Sequence, residues 1–146
     1  MEHTPIQIRC KGIILHENKV LVVRHTEAST YFAFPGGHLE WGETPVECVK
    51  REIMEELGVE PVIGSLLYVN TFIQTDGTHN IEFFFEIKNA FDYLDTSGND
   101  RSHAHEIHEI LWLDKNHDFR LLPVAIDEEF KKGEIVSEIT KQIKSK

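Results

Sequence analysis

Residues 37–59 read GHLEWGETPVECVKREIMEELGV, and no other part of the chain says as much about its structure. Thr44-Pro45 opens a helix there, with Thr at the N-cap, Pro at the first helical position and Glu47 three residues on, as in a capping box. Gly58 closes it. At about 100° per residue, Val46, Val49, Ile53 and Leu57 fall on one arc and are expected to bury it against a sheet. Glu52, Glu55 and Glu56 stand at i, i+3 and i+4 on the neighbouring arc, so their carboxylates converge. Arg51 offsets only part of that charge. A hard divalent cation, which takes carboxylate oxygens and keeps room for water and phosphate, offsets the rest. A solvated acidic helix face is the plainer explanation of such a cluster. Against it, the glutamates border the apolar arc, and Pro35-Gly36-Gly37 just ahead can bring backbone close to a ligand.

Working outward, 6–15 (IQIRCKGIIL) and 19–25 (KVLVVRH) are β-rich runs on either side of His16-Glu17-Asn18 and read as a hairpin. TEASTYFAF reads as a loop and HLEW as a short extended stretch. Residues 62–75 and 80–88 are two more β-rich runs, joined by a turn with Asp76-Gly77. The run FFFEI places Phe84 on the opposite face from Phe83 and Phe85. Residues 89–104 are polar and read as loop, and 107–113 as a last strand. After Pro123, the spacing of Val124, Ile126 and Phe130, and then of Ile135, Ile139 and Ile143, predicts one or two amphipathic helices. Strands bracketing helices give a mixed α/β sandwich.

The 146 residues suit one domain, taken as 1–146, with a core large enough to stand without staples. No apolar run approaches the roughly 18–20 residues that span a bilayer, and no signal peptide is visible, so the expected compartment is the cytoplasm, away from membranes. Cys10 and Cys48 are distant in sequence and form no CxxC pair, so they read as two buried, reduced thiols. Fifteen Lys and Arg against 25 Asp and Glu leave a net charge of −10, which argues against nucleic acid as a partner. A phosphate compound can still bind through an intervening cation.

At this stretch the chain resembles the Nudix hydrolases of the MutT-like kind. Their box runs Gly, five residues, Glu, seven residues, then Arg-Glu-U-x-Glu-Glu-x-Gly-U with U aliphatic. Gly37, Glu43, Arg51, Glu52, Ile53, Glu55, Glu56, Gly58 and Val59 meet every specified position. At about 5–7% usage per fixed residue, a chance match is rarer than roughly one in a million. The resemblance implies the Nudix α/β/α sandwich with a mixed curved sheet. It implies cleavage of the diphosphate bridge of a nucleoside diphosphate linked to X, by water attack at phosphorus. It implies Mg²⁺, with Mn²⁺ as a substitute, held by Glu52, Glu55, Glu56 and the Gly36 carbonyl. Glu43 and Arg51 would orient those carboxylates. Homodimers are common among such relatives.

Several Nudix enzymes draw a general base from the loop before the final strand. Here Glu106 and Glu109 precede Trp112, with Glu106 favoured and Glu52 or Glu55 as its rival. His103, His105 and His108 invite a zinc reading, but no fourth ligand is evident, and a polar loop explains them as well. Arg24 is a candidate for touching phosphate, and Tyr31 and Phe32 for a substrate wall. The Pro, Tyr or Asn-Pro marks of particular substrate classes are missing: Gln74-Thr75 and Leu122-Pro123 stand where they would fall. A nucleoside triphosphate, a nucleotide sugar and an ADP-ribose-type molecule all stay open. So do a non-catalytic nucleotide-binding module, which an intact set of box glutamates disfavours, and removal of diphosphate from an RNA 5′ end, which the net charge disfavours.

Overall fold

The computed structural model describes residues 5–96 and 107–146. Its strands are β1 (Ile6–Ile13), β2 (Leu15–His16), β3 (Lys19–Arg24), β4 (Phe32–Ala33), β5 (Gly36–His38), β6 (Ile63–Ile73), β7 (His79–Ile87), β8 (Glu109–Asp114), β9 (Leu121–Leu122) and β10 (Lys141–Lys144). The helices are α1 (Pro45–Leu57) and α2 (Val124–Lys132), with a 3-10 turn at Ala90–Tyr93. One sheet has the order β10-β6-β7-β1-β5, which leaves β5 at its edge. In the other, β3 pairs along its length with β8 and at its two ends with β2 and β4, and β4 pairs with β9. Both sheets mix parallel and antiparallel pairs.

Alternation along the strands divides the core into two layers. Cys10, Leu21, Val23, Phe85 and Ile87 pack with Cys48, Val49, Ile53 and Leu57 of α1. Ile13, Val20, Val22, Tyr68 and Phe84 pack with Ile126 and Phe130 of α2. This is the expected α/β/α sandwich, and Phe84 stands opposite Phe83 and Phe85 as the alternation required. The strand layer is two sheets, where one curved sheet was expected. Among the described residues no helix is long and apolar enough to cross a membrane.

α1 forms where the sequence places it. The Glu47 N–H donates to the Thr44 hydroxyl oxygen at 3.2 Å, and Gly58 closes the last turn at φ 74°. Val46 does not join the buried arc. It is 40% exposed, because the first turn overhangs the sheet and Cys48 takes the inward position.

Three expectations need correction. β1 does not form a hairpin with β3. It pairs parallel with β7 along its whole length, and only the two residues of β2 cross to β3 through Glu17 and Asn18 at φ 48° and 65°. The second half of β1, from Cys10 to Ile13, is buried on both faces, so it fits a central strand of another sheet equally well. The strand at 107–113 is not the last, since β9 and β10 follow. The tail beyond α2 holds a strand in place of a second helix. Gly133 ends α2 at φ 70°, and β10 pairs parallel with β6. A four-residue spacing of isoleucines suits one face of a strand as well as a helix. Ile143 packs on the core and Ile139 is exposed.

Candidate active site

Strand β5 runs beneath α1, and two glycines stand where they meet. Gly36 has φ 142°, and a Cβ there would lie 2.2 Å from the Cys10 carbonyl oxygen. A Cβ on Gly37 would lie 2.4 Å from Oε2 of Glu52. The box carboxylates therefore rest directly on β5 backbone. The Gly36 N–H donates to Oε1 of Glu56 at 2.7 Å, and Glu56 is 2% exposed. A carboxylate held that deep needs such a donor.

Arg51 ties the rest together. Its Nε donates to Oε2 of Glu43 at 2.7 Å and one terminal nitrogen to Oε1 at 3.0 Å, a bidentate pair. That nitrogen also donates to the His38 carbonyl at 3.1 Å, and the other reaches Glu52 at 2.9 Å and Glu55 at 3.4 Å. The hydrogen bonds from Arg51 hold the Glu43 carboxyl below its ordinary range, and Glu43 in turn raises Arg51 further. Behind β5, Cys10 and Cys48 are free and buried as expected, yet the fold brings them together. Both lie in the buried cluster under α1, and Cys48 donates to the Gly37 carbonyl at 3.7 Å.

The donor set at this meeting point is carboxylate and main-chain carbonyl oxygen, the chemistry of a hard cation. Among the described residues no three His, Cys, Asp or Glu side chains close a metal cage by themselves. A cation held here would need further oxygens, from main chain, water or substrate, to complete its shell, which suits Mg²⁺, an ion that keeps several waters.

Glu106, His103 and His105 fall outside the described residues. His108 donates its backbone N–H to the Arg24 carbonyl at 2.8 Å. Arg24 is engaged by Glu109 at 3.1 Å and by the carbonyls of Thr26 and Glu27 at 3.3 and 2.8 Å. Glu109 lines an open cleft of about 360 Å³ with Tyr93, His108 and Trp112, and no box glutamate borders it. Tyr31 is 40% exposed, whereas Phe32 is 5% exposed and belongs to the core.

Sequence reading passed over two features. Phe119, 51% exposed, meets Phe32 edge-on at 5.2 Å. Its backbone N–H donates to Nδ1 of His117 at 3.1 Å, and Nε2 of His117 pairs with the Asp127 carboxylate at 2.8 Å. The second is a buried polar group of Lys11, Asn70, Asn80 and Glu82. Polar residues at every second position of β7, Asn80 and Glu82 before Phe84, were its only signal in the sequence.

Residues 8–127 match the family described as NUDIX domain. An ADP-ribose pyrophosphatase of Methanocaldococcus jannaschii is 47% identical over 60 residues, 40% of this chain and 36% of the relative. An 8-oxo-dGTP diphosphatase of Escherichia coli K12 is 43% identical over 59 residues, 38% of this chain and 46% of the relative. The chain thus spans less than half the length of these two curated relatives. Among solved structures, a MutT NUDIX hydrolase from Burkholderia pseudomallei superposes with a TM-score of 0.68 at 22% identity, over 86% of this chain and 96% of that one. A UDP-X diphosphatase does so at 0.68 and 21%, over 98% and 68%. The chain belongs to the NUDIX domain family.

Proposed function

We propose that this chain, 1–146 acting as one domain, is a divalent-cation-dependent pyrophosphohydrolase of the cytoplasm. Its substrate is a small nucleoside diphosphate derivative, and water attacks one phosphorus of the diphosphate bridge. The observation that carries this reading is the seating of Glu52 and Glu56 on the Gly36-Gly37 backbone, with Arg51 linking Glu43, Glu52 and Glu55. Names of relatives that act on ADP-ribose, 8-oxo-dGTP and UDP compounds support the substrate class and leave its member open.

In this reading Glu52, Glu55, Glu56 and the Gly36 carbonyl hold Mg²⁺, with Mn²⁺ as a substitute. When bound, the cation neutralises diphosphate charge and makes water more acidic. Gly36 holds the Glu56 carboxylate in place through its N–H. Glu43 fixes the guanidinium of Arg51, which aims Glu52 and Glu55. Glu55 or Glu106 takes the proton of the attacking water. Tyr31, at the exposed end of β4, offers a ring to the substrate. Arg24, paired with Glu109 at the rim of the neighbouring cleft, offers its charge to substrate phosphate.

The test is hydrolysis, with and without Mg²⁺, of canonical and oxidised nucleoside triphosphates, ADP-ribose, nucleotide sugars and dinucleoside polyphosphates, with Glu56→Gln as the control. A substrate turned over only with Mg²⁺ and lost in the control supports the reading. Turnover that survives in the control removes it.

A further inference from the structure

On the face of the first sheet opposite α1 lies a polar patch that the proposed chemistry does not use. Phe83 and Phe85 of β7 point toward α1, so Asn80, Glu82 and Phe84 point the other way. Lys11 of β1 stands with its Nζ 3.8 Å from Oε2 of Glu82, and the side-chain nitrogen of Asn70 donates to Oε1 at 3.0 Å. The Ser145 hydroxyl donates to the Asn70 carbonyl oxygen at 2.8 Å. Lys11 and Glu82 are 8% and 5% exposed, and Asn80 is fully buried. The side-chain carbonyl of Asn80 accepts no hydrogen bond among the described residues.

As a stabilising device this group is poor. A buried Lys–Glu pair held wider than a hydrogen bond gains little over apolar packing, and an unsatisfied amide oxygen costs stability. Lys11 carries three donors and Asn80 an open acceptor, which is the hydrogen-bonding capacity a ligand would use.

The topology says how a ligand would reach it. β5 is the edge strand, and Gly36 on it pairs with Lys11, so Lys11 lies one strand in from the backbone that anchors Glu56. Farther along, Phe84 and Tyr68 are covered by Ile126 and Phe130 of α2. At the outer end Arg9 donates to His38 at 3.3 Å. A molecule whose diphosphate sits at the β5 edge can lay its nucleoside across this face.

We propose that this face is a nucleoside subsite, in which Glu82, set by Lys11 and Asn70, selects bases bearing an exocyclic amine beside a ring acceptor, cytosine or adenine over uracil. The carboxylate accepts from the amine, and the Lys11 ammonium donates to the adjacent ring nitrogen. Uracil reverses the pattern, setting a carbonyl against the carboxylate and an N–H against the ammonium. The location of the diphosphate rests on the pyrophosphohydrolase reading; the choice of base does not.

The experiment is calorimetric binding of CMP and UMP, which hold no diphosphate bridge, to the wild-type chain with Mg²⁺. CMP is expected to bind about tenfold tighter, the scale at which unpaired polar groups reject a ligand. Glu82→Gln, which can present a donor or an acceptor, should bring the two affinities within about threefold while the melting temperature stays within a few degrees. Equal affinities in the wild-type chain, no binding of either nucleotide, or an unchanged ratio in a folded Glu82→Gln would overturn the proposal. The first two results need no variant. A base preference without hydrolysis of any substrate would retain this subsite and remove the hydrolase reading, and turnover without base preference would do the reverse.

Discussion

The backbone N–H of Gly36 donates to the buried carboxylate of Glu56 at 2.7 Å, joining the edge strand β5 to the penultimate residue of α1. A glycine adopts φ 142° freely, and a larger residue there would meet the Cys10 carbonyl oxygen at 2.2 Å. The start of β5 therefore cannot shift without moving the glutamate, and site and fold share one hydrogen bond.

Gly36→Ala is expected to cost about 2–4 kcal/mol, from backbone strain plus the clash with β1. Gly42→Ala is the contrasting case. Its φ of 86° is also unfavourable for alanine, but nothing lies within 4 Å of the added carbon. That change should cost about 1 kcal/mol. Urea denaturation of both variants measures the difference, and equal costs would show that β1 yields to the added methyl.

Acid should weaken the Glu43–Arg51 pair in a defined direction. The carboxyl of Glu43 is depressed by its hydrogen bonds from Arg51. A group depressed in the folded state contributes stability above its unfolded value, and that contribution is lost as pH falls through the folded one. Glu43→Gln should therefore flatten the acid limb of the stability curve below the ordinary glutamate range and change it little near neutrality beyond a constant offset. Urea midpoints between pH 3 and 7 follow this. A parallel downward shift at every pH would mean that the pair does not titrate.

Much of this was legible in the sequence because the box states its own geometry. Thr44, Pro45 and Gly58 mark the ends of α1, and the arc of Val49, Ile53 and Leu57 fixes which side meets the sheet. Strand partners were harder. β1 and β3 are adjacent in sequence, yet β1 pairs with β5 and with β7, some 70 residues on, because a run whose second half is buried on both faces accepts either neighbour. The isoleucines of the tail satisfied the spacing of a helix and of a strand at once, and Gly133 decided between them. The contact between Cys10 and Cys48, and the patch around Glu82, depend on strand pairing that no local pattern encodes.

Asp127→Asn should loosen the segment that carries Phe119. Asp127 is the partner of the buried Nε2 of His117, and Nδ1 of the same ring holds the Phe119 backbone. Weakening a charge-assisted buried bond of this kind costs about 1–3 kcal/mol. Hydrogen exchange at the Phe119 amide should accelerate more than exchange in β3. Uniform acceleration across the chain would show that the pair supports the whole fold and not this segment.

The α1 glutamates are proposed to hold a divalent cation on the Gly36-Gly37 backbone, and titrating Mn²⁺ into the wild-type chain and Glu56→Gln, read by electron paramagnetic resonance, tests that assignment. Saturable binding to the wild-type chain is expected, with affinity at least about tenfold weaker in the variant, the order of loss seen when a metal site is disturbed, and both chains equally folded. Equal affinity in the two chains, or no binding to the wild-type chain, would contradict it.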